Sequence, residues 1–189
     1  MRNGWLVAIV VVALIVVRAC IRLYNGLVTR RNAVDNAFST IDVQMKLRCD
    51  LVPRVVDSVR GYMDYERGVL EQLTTVRAQA TASGLDAATR LALDSQLGGL
   101  LSRVFAVAER YPDLRSAGSV VMLQRTLNEV EAQIAAARRT YNAAVTDYNT
   151  GVESFPANLV ARPLGFERRT LFEAAAGDRD AVPVGISGT

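Results

Sequence analysis

The amino-acid sequence predicts an all-α protein: an N-terminal transmembrane helix continuous with a long helix of an antiparallel four-helix bundle, two helices long and two shorter. Three observations predict it. Gly4 to Val17 reads GWLVAIVVVALIVV and is entirely apolar. Beyond it, apolar residues recur in steps of three and four, the period of a helix face, without sustained strand-like alternation. Only 5 prolines interrupt 189 residues, of which 50% are hydrophobic, enough for one real core.

The apolar stretch alone is short for a membrane. Its helix would rise about 21 Å against a hydrocarbon core of roughly 30 Å. Continued through Arg18-Ala19-Cys20-Ile21-Arg22-Leu23 it reaches about 30 Å. Arg18 and Arg22 are one turn apart, so their stems can lie in the apolar layer while the guanidinium groups reach the headgroups. Trp5 suits the opposite interface. An uncleaved anchor is expected. A cleaved signal peptide would need small residues where Arg18 stands, and Val17-Arg18-Ala19-Cys20 looks like a lipoprotein box spoiled by arginine; these are the two alternatives. Arg18, Arg22, Arg30 and Arg31 follow the apolar stretch and Arg2 precedes it. The bundle is therefore expected in the cytoplasm and the N-terminus outside.

The expected domains are an anchor over 1–23, a bundle over 24–155, an amphipathic segment over 156–176 and a flexible tail over 177–189. The first bundle helix covers 24–63. Its seam is Val34, Phe38, Ile41, Met45, Cys49, Val52, Val56, Val59 and Met63, with Pro53 expected to kink it and Gly61 a turn point. The second covers 65–82, with Val69, Leu73, Val76 and Ala80 inward. The third covers 87–110, with Asp86 as its cap, Thr89 three residues on, and Leu93, Leu97, Leu100, Val104 and either Val107 or Ala108 inward. The fourth covers 113–155 after Tyr111-Pro112.

Composition excludes several functions. The net charge of +3 is small and dispersed, and Lys46 is the only lysine, so no nucleic-acid partner is expected. The absence of histidine removes the commonest general base and transition-metal ligand. No nucleophile–base pair, phosphate loop or metal spacing appears, so no enzyme, catalytic residue, cofactor or metal is expected; a hydrolase is the weakest alternative. On one continuous helix Cys20 and Cys49 lie about 43 Å apart, beyond disulfide reach, and read as free thiols.

Arg139 to Phe166 carries the pattern YNxxVxxYNxxVxxFP. Two helical turns cover about 7.2 residues, so Tyr141-Asn142 and Tyr148-Asn149 share one face, which Val145, Val152 and Phe155 extend to Pro156. The repeat reads as a packing seam whose phenols bury their rings and find a neighbour such as Asn32, Asn36 or Gln44; a wet ligand groove is the alternative. Asp35, Asp42, Asp50, Asp57 and Asp64 recur every seven or eight residues. Two turns separate neighbours by about 10.5 Å, too far to share a cation. They read as a solvated face or as partners of Arg48, Arg54 and Arg60.

The chain resembles the LemA family. The resemblance is carried by the apolar N-terminal segment, Tyr24-Asn25-Gly26-Leu27-Val28, Arg31-Asn32-Ala33-Val34-Asp35-Asn36-Ala37, Ile41-Asp42-Val43-Gln44, Arg48-Cys49-Asp50-Leu51-Val52-Pro53, Arg110-Tyr111-Pro112-Asp113-Leu114 and the Tyr-Asn repeat through Phe166. It spans roughly Trp5 to Glu173. It implies a single-pass protein of the bacterial inner membrane with a cytoplasmic helical bundle and no established enzyme activity. It also implies links to membrane building in some relatives and to membrane proteases in others.

Arg18, Arg22, Arg30 and Arg31 are candidate lipid-headgroup contacts, each worth on the order of 1 kcal/mol at an anionic surface. Phe155, Pro156, Leu159, Val160, Leu164, Phe166 and Phe172 stay apolar outside the four-helix pattern. They form either a self-association or partner surface or a segment folded back over the bundle end. The expected function is a non-enzymatic, membrane-anchored scaffold that self-associates and organises or shapes the membrane. Its partners would be membrane lipid and further copies of itself. The alternative is an adaptor or regulator of a membrane protease or signalling protein.

Overall fold

A computed structural model of the chain describes residues 4–62 and 66–172. Among them there is helix and no strand. The helices are α1 (Gly4–Val59), α2 (Arg67–Ala80), α3 (Ala87–Ala108), α4 (Pro112–Ser116), α5 (Gly118–Glu153) and α6 (Ala157–Ala161). Met63 as the last seam residue, Asp64 in the acidic series, Tyr65 as the start of the second helix, the end of the amphipathic segment (173–176) and the tail (177–189) lie outside the described residues. The described residues fall into two compact units, those within Phe38–Ala137 and those within Met1–Ala37 and Arg138–Thr189, and α1 and α5 contribute to both.

In the Phe38–Ala137 unit one apolar core joins Val52, Val55 and Val59 of α1, Leu73 of α2, Leu97 and Val104 of α3, Leu114 of α4 and Ile134 of α5. Asp86 caps α3, its Oδ1 accepting from the Thr89 N–H at 2.7 Å and its Oδ2 from the Thr89 hydroxyl at 2.9 Å. Those two donors hold the Asp86 carboxyl below its usual range.

The expected fourth helix is divided. Pro112 opens α4, Ala117 turns extended, and α5 begins at Gly118. Leu114 and Val120 are both buried. On one straight helix, six residues apart, they would point about 120° from each other. The break at Ala117 lets both face the core.

Pro53 lies within α1 without ending it. Having no N–H, it leaves the Cys49 carbonyl, one turn earlier, without its helical donor. Arg77 of α2 fills the gap, its Nε donating to the Cys49 carbonyl at 2.9 Å. Arg77→Ala is therefore expected to cost about 1.5–3 kcal/mol, the range for a bond to a charged group. The loss should shrink when Pro53→Ala restores the N–H, a coupling readable in a double-mutant cycle of unfolding midpoints.

In the other unit α1 buries Leu27 and Val34, and α5 buries Tyr141, Val145, Tyr148 and Val152. Arg30 of α1 lies across Gly151 of α5, where any Cβ would run into its guanidinium. From there it reaches Asp147 at 3.2 Å. The chain leaves α5 at Glu153, makes the short α6, and ends that helix with a glycine cap. Gly165 has φ of 72°. Its N–H donates to Arg162 at 3.2 Å and the Phe166 N–H to Ala161 at 3.0 Å, the paired bonds of a Schellman motif. Phe166 and Ala161 are both buried beneath it.

Candidate membrane anchor and C-terminal clasp

The first feature is the apolar start of α1. Trp5 to Val17 consists largely of big apolar side chains, and those are 48–64% exposed. The α1 helix that it opens is long and apolar enough to cross a membrane, and none of its most apolar window is buried. The α3 helix passes the same length and composition test. There, however, Leu97, Leu101, Val104 and Ala108 are buried in the core of their own unit, which accounts for the composition.

The four arginines after the apolar stretch divide by environment. Arg18 and Arg22 are exposed on α1. Arg30 is engaged with Asp147. The Arg31 guanidinium lies 5.5 Å over the Phe166 ring, a cation–π contact. Phe166 also meets Tyr24 edge to face at 5.7 Å. Phe166, grouped in sequence with the apolar surface residues, thus lies in the interior of its own unit. Val160 and Phe172 are half-buried, whereas Phe155, Pro156, Leu159 and Leu164 are exposed.

The Tyr-Asn repeat forms a clasp on the chain's own C-terminal segment. Asn149 Nδ2 donates to the Arg169 carbonyl at 2.9 Å, and its Oδ1 accepts from the Arg169 N–H at 2.9 Å. Asn142 does the same one repeat earlier, with the Phe172 carbonyl at 3.0 Å and N–H at 2.8 Å. Each amide therefore satisfies both backbone groups of one residue, as a neighbouring strand would. The spacing explains the repeat. Seven residues of helix rise about 10.5 Å, and the three residues from Arg169 to Phe172 cover that only when nearly fully extended, at about 3.5 Å each.

Tyr141 reaches the clasped segment as well. The Tyr141 hydroxyl donates to the Thr170 carbonyl at 3.3 Å, and its ring packs on Phe172 at 4.3 Å. Burial raises both the Tyr141 and Tyr148 phenols, so both stay protonated donors at neutral pH. Arg169 adds a pair with Asp35 at 3.6 Å, and Arg168 one with Glu153 at 3.0 Å.

In the Phe38–Ala137 unit the sequence reading missed a buried ionic cluster. Arg48 is 2% and Asp94 3% exposed. Arg48 Nη1 donates to Asp94 Oδ1 at 2.9 Å and to the Asp94 carbonyl at 3.1 Å. Its Nη2 pairs with Glu131. A Cβ on Gly98 would sit 3.2 Å from Arg48 Nη1, so that glycine makes room for the guanidinium. The inward seam of α3 therefore includes Asp94, while the expected Leu93 and Leu100 are only partly buried. Arg48 pairs across helices, and Asp42 likewise pairs with Arg90 of α3. The readable signal was a lone Asp and a Gly-Gly pair within an apolar helix.

A cavity of about 230 Å³ beside this cluster is lined by Asp42, Met45, Cys49, Arg90 and Asp94 among others. Burial, then the nearby Asp94 charge, pushes the Cys49 thiol up, so it is a thiol and a poor nucleophile at neutral pH. Among the described residues no group of three or more His, Cys, Asp or Glu is placed to hold a metal ion.

Comparison with known proteins decides the family. The LemA family model matches residues 37–185, well over half of the sequence. This chain belongs to the LemA family. The match contains the whole clasp, from Asn142 to Phe172. A LemA protein of Metamycoplasma hominis is 27% identical over 155 residues, 82% of this chain and 71% of the relative. Magnetosome protein MamQ 2 of Paramagnetospirillum magneticum is 38% identical over 89 residues, 47% of this chain and 33% of the relative. Magnetosome protein MamQ of Magnetospirillum gryphiswaldense is 34% identical over the same length and shares. The LemA-family chain thus matches only a third of the length of each magnetosome relative. None of these names describes a reaction.

Proposed function

We propose that this LemA-family chain is a non-enzymatic scaffold of the bacterial inner membrane. In this reading α1 crosses the bilayer once, with the N-terminus outside. The rest of α1 and the later helices form an antiparallel four-helix bundle in the cytoplasm, and neighbouring copies associate laterally to organise or shape the membrane. The observation that carries it is the exposed apolar stretch from Trp5 to Val17. Each large apolar side chain gains about 1.5–3 kcal/mol on leaving water, a drive that only a membrane or another apolar surface can meet. The arginines that follow support the cytoplasmic assignment. The relatives called magnetosome proteins carry names without a reaction, which supports structure over catalysis.

The test uses the full chain in bacterial cells and in vesicles. It should resist alkaline carbonate extraction, and protease added outside spheroplasts should leave residues 24–172 intact. Crosslinking in vesicles should give ladders that lengthen with protein density. Extraction into the aqueous phase would remove the anchor reading, and monomers at every density the scaffold reading. A small fixed complex with a protease or signalling protein would favour the adaptor instead.

A further inference from the structure

We infer that the reversal between α5 and the clasped segment is a second membrane contact, with Phe155, Leu159 and Leu164 seated in the interfacial layer of the bilayer that α1 crosses. The inference rests on the membrane-anchor reading above and concerns a surface which that reading leaves unassigned.

The argument begins with level along α1. The apolar run ends at Val17, and its continuation with two arginines ends at Leu23. Tyr24 therefore lies about 1.5 Å along the axis from the later limit and about 10 Å from the earlier one. Headgroup layers add roughly 5–7 Å to each side of the hydrocarbon core. Tyr24 falls in or beside that layer, and Phe166 rests on its ring.

The chain's direction supplies the rest. Going from Asp35 through Arg31 to Tyr24 moves toward the membrane stretch. Their partners, Arg169 and then Phe166, run the same way. Glu153, the last residue of α5, is held level with Arg168. Residues 154–165 connect Glu153 to Phe166, so they make the reversal at the end of this unit nearest the apolar part of α1. In that reversal Phe155 is 79%, Leu159 65% and Leu164 52% exposed.

An aqueous surface gives those side chains nothing, while the interface takes aromatic and aliphatic groups at headgroup depth. Charge agrees. Arg162 of the reversal and Arg18 and Arg22 of α1 are all exposed, a positive setting for anionic lipid. The Schellman turn at Gly165 and the asparagine clasp then have a purpose beyond packing. They hold the reversal against α1 at a fixed height, so the chain meets the bilayer at a second point beside its anchor.

The test is depth-dependent quenching in the full chain, reconstituted into vesicles of phosphatidylethanolamine and phosphatidylglycerol. The native chain has one tryptophan, Trp5, whose quenching by brominated lipid reports the anchor alone. Phe155→Trp and, separately, Leu159→Trp are made with Trp5→Phe. Both are expected to emit to the blue of a hydrated indole and to lose intensity most with bromines near the headgroup end of the acyl chain. Red-shifted emission without quenching would overturn the inference. Blue-shifted emission without quenching would overturn it as well, because a second copy, not lipid, would then cover the surface. Loss of Trp5 quenching in the native chain would instead sink the anchor reading on which both depend.

Discussion

Replacing Arg48 by alanine is expected to destabilise the Phe38–Ala137 unit by about 3–5 kcal/mol, the cost of breaking a buried ion pair from one side. The guanidinium and the Asp94 carboxylate are both almost fully enclosed, with Arg48 bonded to the Asp94 side chain and carbonyl at once. Deleting the arginine leaves a buried carboxylate without that guanidinium and opens a void. Glu131 matters less, because its side chain is 62% exposed and water can replace the arginine. Arg48→Met combined with Asp94→Leu should recover most of the loss, since an apolar pair of similar volume carries no desolvation penalty. Thermal unfolding in detergent reads both. A loss below about 1 kcal/mol for Arg48→Ala would mean the cluster is solvated and worth no more than a surface pair.

Asn142→Leu together with Asn149→Leu is expected to release the C-terminal segment without unfolding the rest. Four hydrogen bonds join the two amides to Arg169 and Phe172. At about 1 kcal/mol each, their loss removes about 4 kcal/mol from the docked state. Amide exchange at Arg169 and Phe172 should speed by orders of magnitude, while exchange in the Phe38–Ala137 unit stays unchanged. Asn149→Asp is the sharper variant, because the shape is kept and only the donor is lost. The carboxylate would still accept from the Arg169 N–H but would face the Arg169 carbonyl, repelling it. Unchanged exchange in the double variant would show that Phe166 and Phe172 hold the segment by packing alone.

Much of the architecture was readable because its signals are local. An apolar run of fourteen residues, steps of three and four, and Asp86 with Thr89 each act within a few turns of chain. Such signals give helix, apolar stretch and cap without knowledge of what packs where. The Tyr-Asn repeat was readable as one helix face. Its purpose was not, since nothing in a seven-residue spacing says that the face meets an extended segment of the same chain and not another helix. The pairing of Asp94 with Arg48 was not readable for the same reason. A charged residue is assigned to water unless its partner is known, and the partners lie 46 and 83 residues away.

What the amino-acid order determined by itself is the helical character of the chain, its apolar N-terminal stretch and its family, because helix periodicity, hydrophobic length and motif spacing are properties of neighbours. What only the folded arrangement decided is which polar groups are buried and against what: Arg77 on the carbonyl orphaned by Pro53, Arg48 on Asp94, and two asparagines on a returning backbone. The physical reason is that desolvation is set by the whole surroundings of a group. A polar side chain can go inside only where distant chain supplies its hydrogen bonds.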